Sequence, residues 1–384
     1  MTSSSVIARE GFAVPADVAY FNTANLAPLL DSVRAAGEMA LERRAAPWTI
    51  AAEDWFSDVE ALRAMVGSLF GEDDDEDGDG VALVPSTSYG FAVAARNLPL
   101  APGAKILVLD QEYPSGVYTW RRHAARSAAE VLTVSRGEAE TWTDAVLGAI
   151  TEQVAVVSVP QVHWTDGAWI DLPTVAEAAR AVGAALVIDA SQSLGAVPCD
   201  VATVRPDFVV SVGYKWMLGP FGRSYLWVAP HHRDGEPLEE NWIVRAEAQD
   251  FARLVDYRDE YQPGARRFDH GQRTQFELTP MAITAAAQLL SWGVENVARR
   301  LAATNETIIA RVQELGLRPT SDSRGPHLLG LALPSGSQDR ITDAMARGRC
   351  YAAVRGSALR IAPHLHVTDE DVDRLVDALQ VALR

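Results

Sequence analysis

The residues best placed to do chemistry are an aspartate, a glutamine and a lysine. Val187-Ile188-Asp189-Ala190-Ser191-Gln192 puts a carboxylate at the C-terminal end of an apolar run. The next apolar run, Phe208–Val212, leads at once into Gly213-Tyr214-Lys215-Trp216. If both runs are parallel strands, Asp189 and Lys215 leave the same sheet edge, where open α/β sheets bind ligands. A lysine at such a strand end is partly desolvated. Its ammonium form is disfavoured, its pKa falls, and it becomes a competent amine nucleophile. A buried aspartate beside it can hold a pyridinium N–H. These are the two demands of pyridoxal phosphate (PLP) chemistry: a Schiff-base lysine and an acidic partner for the ring nitrogen. A plain buried ion pair would need strong compensation for its lost hydration.

Other chemistries lack their signatures. No G-x-G-x-x-G follows a strand and no phosphate-binding G-x-x-x-x-G-K-[ST] occurs. Neither H-E-x-x-H nor paired C-x-x-C is present, so no metal is expected. No G-x-S-x-G elbow occurs either. His364 and His366, and the pair His231-His232 in a polar stretch, read as ordinary surface or core histidines.

The elements that must position Asp189 and Lys215 follow from the apolar runs. Val81–Pro85, Lys105–Asp110, Glu130–Ser135, Val154–Pro160, Ala184–Asp189, Phe208–Val212 and Ser224–Val228 are rich in Val, Ile and Leu. Most lack alternation, as strands buried on both faces do. Helical patterns lie between several of them, at Ser88–Asn97, Gly116–Arg126, Trp142–Ile150 and Leu172–Val182. The expected fold is α/β: a mostly parallel central sheet with helices on both faces. Leu29–Arg44 and Ala52–Phe70 read as helices upstream, and Pro280–Leu315 as one long, mostly helical stretch downstream. Leu328–Leu333, Cys350–Arg355 and Ala358–Ile361 read as short strands, with helices at Gln338–Ala346 and Asp369–Leu383. The expected division is an N-terminal segment (1–25), a large α/β domain (26–270) and a small C-terminal α+β domain (271–384).

Composition bounds the partners. The 384 residues carry 51 acids against 34 bases, a formal charge of −17. Such a field repels phosphate polymers and anionic membranes. Seven of the acids fall in Glu72–Asp79, which reads as a solvated loop. No apolar run is long enough to span a bilayer, and Met1–Glu10 carries no secretory pattern. Two cysteines, Cys199 and Cys350, suit a reducing compartment, so a cytoplasmic protein is expected.

Asp189-x-x-Gln192 followed by Ser211-x-Gly213-Tyr214-Lys215-Trp216-x-x-Gly219-Pro220 resembles the class V aminotransferase family of fold-type I PLP enzymes. That family includes cysteine desulfurases, cystine C–S lyases, kynureninases and isopenicillin N epimerase. The resemblance implies Lys215 as the Schiff-base residue, Asp189 on the pyridine nitrogen and Gln192 on the cofactor's phenolic oxygen. Ser86-Thr87-Ser88-Tyr89-Gly90 matches the family's phosphate turn, which implies Thr87 and Ser88 as phosphate contacts, with Ser211 and Tyr214 as further ones. A helix N-terminus with hydroxyls suits a phosphate on physical grounds too, although a plain helix cap would look the same. Glu112-Tyr113-Pro114 matches the turn that stacks on the ring. Many relatives carry His there; Tyr113 still offers an aromatic face but titrates far from neutrality. His163–Gly167 matches a loop beside the ring and implies Thr165. Arg355–Arg360 matches the carboxylate clamp, implying Arg360, whose guanidinium fork fits an α-carboxylate. Tyr20–Ala24 matches a segment folding over the site and implies Asn22 as a substrate contact. Arg267–Gln272 matches a stretch reaching the partner subunit's phosphate, which implies Gln272 and a homodimer with shared active sites.

The expected reaction begins with an α-amino acid displacing Lys215, which then removes the α-proton as general base. Transamination is the first expectation. β-Elimination of the C–S lyase type and epimerisation stand as alternatives, and a non-catalytic PLP-binding homologue as a further one. Persulfide-forming desulfuration is disfavoured, because only Gly356-Ser357-Ala358-Leu359 separates Arg355 from Arg360 and none is Cys.

Overall fold

The structure is a computed structural model that describes residues 9–72, 78–137 and 140–384. Its strands are β1 (Ala19–Tyr20), β2 (Val81–Val84), β3 (Lys105–Leu109), β4 (Glu130–Val134), β5 (Val154–Pro160), β6 (Ala185–Asp189), β7 (Phe208–Val212), β8 (Ser224–Val228), β9 (Leu329–Ala332), β10 (Cys350–Tyr351), β11 (Ala353–Arg355) and β12 (Ala358–Ile361). Its helices are α1 (Asp31–Arg44), α2 (Ser57–Leu69), α3 (Thr87–Asn97), α4 (Pro114–Ser127), α5 (Trp142–Ala149), α6 (Leu172–Ala181), α7 (Val201–Val204), α8 (Thr279–Trp292), α9 (Val294–Gln313), α10 (Gln338–Arg347) and α11 (Asp369–Leu383).

The central sheet runs β2-β8-β7-β6-β5-β3-β4. Its pairs are parallel except that β8 runs against both of its neighbours. The expected mostly parallel α/β sheet is therefore present. Every residue of β2, β7 and β8 is buried, as their unbroken apolar sequences require. Successive side chains go to opposite faces. Leu83, Leu107, Val157, Leu186 and Val209 enter one cluster with α2, α5, α6 and α8. Ala82, Ile106, Val156, Val187 and Val210 enter another with α3 and α4. In register, Asp189 sits beside Val210, so the strand that ends in Asp189 flanks the one that leads to Lys215.

β2 is an edge strand whose outer side is covered. Its Leu83 N–H donates to Asp269 Oδ1 (2.6 Å), its Leu83 carbonyl accepts from His270 N–H (3.2 Å), and its Val81 carbonyl accepts from Arg63 (2.5 Å). Asp269 is wholly buried and is paired with Arg63 (2.7 Å) and Arg273 (2.5 Å). This network satisfies the edge and closes it to further strand pairing.

A smaller cluster gathers β9, β10, β12, α10, α11 and the second half of α9. β9, β12 and β11 form an antiparallel sheet. The N-terminal segment joins this part of the molecule: β1 pairs in parallel with β10, and Phe21 and Thr23 bond the backbone of Ala362. The long, mostly helical stretch expected from Pro280 is present as two helices, α8 and α9, separated at Gly293, whose φ is +74°. α8, beyond residue 270, buries Ala282, Ala285, Ala286 and Leu289 in the large cluster, and α9 passes from one cluster to the other. Cys350–Arg355, expected as a single strand, is divided because its first two residues pair with β1 and its last three with β12.

The acidic segment is not solvated at its start. Residues 73–77 lie outside the described residues. Glu72, read as solvated, is instead largely buried: it accepts from Trp227 Nε1 (2.6 Å) and pairs with Arg233 (3.0 Å). Asp79 pairs with Arg266. Cationic and N–H partners supply what repulsion among the acids alone could not, so both ends of the segment are anchored.

Candidate active site

The C-terminal edge of the sheet opens into a cavity of about 210 Å³, lined by residues of several strand ends, among them Asp189, Gln192 and Lys215. The loop after β7 makes Lys215 possible. Gly213 N–H donates to the Arg223 carbonyl (2.9 Å), and Gly219 N–H donates to the Gly213 carbonyl (2.8 Å). A Cβ on Gly213 would stand 2.7 Å from the Arg223 carbonyl oxygen, so only glycine fits. The tight turn carries Lys215 into the cavity at 7% exposure. Its Nζ lies 5.4 Å from the Tyr113 ring centroid and 6.0 Å from that of Tyr214. Burial brings its pKa down to about 8; the Asp189 carboxylate opposes this, while Arg360 and Arg355 add to it.

Asp189 closes β6. Its Oδ1 accepts from Ser191 N–H (2.9 Å). Burial raises its pKa above the ordinary value, against the opposing contacts of Ser191 and the charge of Lys215. Gln192 lines the same cavity and is clamped at both ends of its amide. Its Nε2 donates to the Ala24 carbonyl (3.0 Å) and its Oε1 accepts from Trp216 Nε1 (2.9 Å). One N–H of that amide stays available to an occupant.

The Ser86 side chain caps α3, accepting from Tyr89 N–H (3.2 Å). The first-turn amides of a helix have no intrahelical acceptor, and here Ser86, Thr87 and Ser88 all line the cavity. Gly90 lets α3 lie close on β7, for a Cβ there would meet Val210 Cγ1 at 2.6 Å. Tyr113, the residue before α4, and Trp164 meet edge to face at 5.6 Å across the opening. Tyr214 packs on Phe221 (4.6 Å), which also lines the cavity.

Arg360, on β12, stands behind Trp164. It donates to the Trp164 carbonyl (2.8 Å) and to Asn22 Oδ1 (3.4 Å), and its Nε has no partner. Only 1% of it is exposed, and among the described residues no carboxylate pairs with it. Burial, with Arg355 nearby, lowers its pKa to about 10. A buried cation without a counter-charge is an anion site in waiting.

Five expected site residues do not line the cavity: Arg360 and Asn22, which meet each other behind Trp164, and Ser211, Thr165 and Gln272. Ser211 faces the core and its hydroxyl donates to the Ala190 carbonyl (3.3 Å). Thr165 is turned away because its hydroxyl bonds His163 Nδ1 (2.7 Å); Trp164 takes the lining position instead. Gln272 lies exposed on the turn after Gly271 and is not part of the lining.

Sequence reasoning missed Glu112. It lines the cavity; its Oε1 accepts from Tyr113 N–H (2.6 Å), and its buried Oε2 has no partner. Burial, with the Asp189 charge adding, pushes its pKa up to about 7, against His163 and the Tyr113 N–H. Only the third dimension shows that this carboxyl turns inward. A second missed signal was in plain view: lysine occurs only twice in the chain, at 105 and 215.

Comparison with known proteins places the chain in a family. The family model described as Aminotransferase class-V matches residues 50–375. An uncharacterized aminotransferase of Bacillus subtilis, YcbU, is 25% identical over 84% of this chain and 83% of its own length. Isopenicillin N epimerase of Streptomyces clavuligerus is 29% identical over 79% and 80%. Among solved structures, the cystine C–S lyase C-DES in complex with cysteine persulfide superposes with a TM-score of 0.83 at 16% identity, covering 95% of this chain and 98% of that one. The cysteine desulfurase CsdA of Escherichia coli does so with 0.82 at 17% identity, covering 98% and 97%. At such identities the structures speak to fold alone. The cofactor is pyridoxal 5'-phosphate, and the donor set fits it: a buried amine, a half-buried carboxyl, and a helix N-terminus rich in hydroxyls. The chain belongs to the class V aminotransferase family of PLP-dependent enzymes.

Proposed function

We propose that this chain acts on a small α-amino acid, with Lys215 as its nucleophile and base and transamination as its net reaction. The observation that carries the reading is Arg360. It is a buried guanidinium without an acidic partner among the described residues, close enough to depress the Lys215 pKa. A protein that merely stored PLP would have no use for it.

When bound, PLP supplies an electron sink for the pair left by a departing α-proton. Asp189 would hold the proton of its ring nitrogen, Thr87 and Ser88 its phosphate with Tyr214, Tyr113 a ring face, and Gln192 its phenolic oxygen. Lys215, at about 8, keeps a useful neutral fraction near physiological pH and accepts the α-proton as base. Arg360 would take the carboxylate in its fork, with Asn22 beside it. Gln272, exposed and outside the lining of its own cavity, suits a contact with a second copy, and we assign the chain a homodimeric state with shared sites. Ser211 and Thr165 keep structural roles in this scheme.

β-Elimination is the second reading, favoured by Glu112, an additional acid that could protonate a departing group. Persulfide chemistry finds no support. Cys350 is 1% exposed within β10, Cys199 is also buried, and burial pushes both thiols up to about 12. Incubating cofactor-loaded protein with a panel of amino acids, with and without a keto acid, tests the scheme. Keto-acid-dependent amino transfer is the expected result. Pyruvate and ammonia without a keto acid would favour elimination, and stereochemical change alone would favour epimerisation. No spectral response to any amino acid would overturn the enzyme reading.

A further inference from the structure

At the sheet edge opposite the cofactor cavity, three metal-ligating side chains converge. Asp207 immediately precedes β7, and His231 and His232 follow β8, which runs antiparallel to it, so all three meet at the base of the sheet. His231 Nε2 lies 3.0 Å and His232 Nε2 2.9 Å from the same oxygen, Asp207 Oδ1. All three ligand atoms fall within 4.8 Å of one another, the only such group of three among the described residues. We propose that Asp207, His231 and His232 form a site for one divalent transition-metal ion of the zinc or cobalt class.

The donor set suits that class. Two imidazoles and one carboxylate are borderline ligands that favour Zn²⁺, Co²⁺ or Ni²⁺ over Mg²⁺ or Ca²⁺. Metal bonds of about 2.0–2.1 Å in tetrahedral array set ligand atoms roughly 3.3 Å apart, so each histidine need move from the carboxylate oxygen by only a few tenths of an ångström, with the two imidazole nitrogens already within 4.8 Å of each other. Both rings can carry their proton on Nδ1 instead, so coordination at Nε2 requires no ionisation of imidazole at neutral pH. The carboxylate is preset. Its Oδ2 accepts from Leu186 N–H (2.7 Å), which leaves Oδ1 aimed at the histidines.

The supporting shell is also fixed. The His232 ring stacks on Phe208 (4.9 Å, 26°), and Ala229 N–H donates to the Asp207 carbonyl (3.0 Å). His231 is far more exposed than its two partners, which leaves an open side for water or a fourth ligand. That side borders a cavity of about 860 Å³ between α6, α7 and the turn at Pro230–His232, lined also by Arg180 and Arg205. The ion would clasp this turn to the base of β6 and β7.

Cobalt reports the geometry directly. Co²⁺ is titrated into chelator-stripped, PLP-loaded protein and followed by visible d–d absorption, with Zn²⁺ added in competition. The expected result is a band saturating at one Co²⁺ per chain and lost to Zn²⁺. In His231→Ala the Kd should rise at least about tenfold; that side chain is exposed, so the fold is kept. The same band should appear in Lys215→Ala stripped of cofactor, which removes PLP as the chelator. No stoichiometric band, a band indifferent to His231→Ala and His232→Ala, or a band that vanishes with the cofactor would each overturn the proposal.

Discussion

Replacing Arg360 by Met separates substrate recognition from stability. In the free protein Arg360 is a buried cation bonded to the Trp164 carbonyl and Asn22, with no carboxylate beside it. Exchanging a buried ionic group for an apolar one of similar volume is neutral to stabilising by about 1–4 kcal/mol. The orphaned Trp164 carbonyl returns about 1 kcal/mol of that. The net is roughly −1 to +3 kcal/mol in favour of the variant. A chain of 384 residues has an unfolding entropy of about 0.8 kcal/mol/K, so Tm should shift by between about −1 and +4 °C. Substrate binding should move the other way. Two charge-assisted hydrogen bonds to a carboxylate contribute about 1.5–3 kcal/mol each, so affinity should fall at least about a hundredfold. The assay is thermal unfolding of the cofactor-loaded variant together with spectral titration by an α-amino acid and by its amide. Only the free carboxylate should suffer. A Kd for the amino acid within about threefold of wild type, or equal weakening of the amide, would refute the assignment, whatever Tm does.

Three further outcomes follow from buried groups. Glu112→Gln copies the protonated carboxyl, so a limb near pH 7 in the wild-type rate profile should vanish; a limb that persists in the variant removes Glu112 from the chemistry. Asp269→Ala strips the shared partner of two buried arginines and one cap of the β2 edge, and should cost about 3–5 kcal/mol in urea unfolding; a loss under about 1 kcal/mol would contradict the network's role. Burial holds His327, His364 and His366 neutral, at about 4, 3 and 4 against an ordinary 6.5. The unfolded chain takes up protons that the folded one refuses, so this contribution is whole above pH 6.5 and drains as pH falls toward 4. His364→Gln should reduce the slope of stability against pH between 6 and 5 by up to about one proton, and an unchanged slope would refute the burial argument.

What the sequence disclosed depended on range. Strands buried on both faces announce themselves as unbroken apolar runs, so β2, β7 and β8 were legible, and with them the edge carrying Asp189 and Lys215. β1 was not, because two residues paired with β10, hundreds of positions away, carry no period. Gly293 inside a helical pattern was a visible break that apolar periodicity on both sides concealed. Within the site, residue type and motif placed Lys215, Asp189, Gln192 and Thr87 around one cavity. Motif alone put Ser211 and Thr165 there too, but their hydroxyls are spent on Ala190 and His163. Glu112 and the convergence of Asp207 with His231 and His232 depend on which way a side chain turns, which no spacing records.

The central claim is that Lys215 is the amine that binds the cofactor, and the chain is unusually well suited to test it. Lysine occurs only at 105 and 215, and Lys105 begins β3, at the strand end away from the cavity. Borohydride reduction of the PLP-loaded protein, followed by peptide mass mapping, fixes the linkage. The account predicts loss of the visible band and a phosphopyridoxyl group on Lys215 alone. A label on Lys105, or no label on a protein that remains coloured, would contradict it.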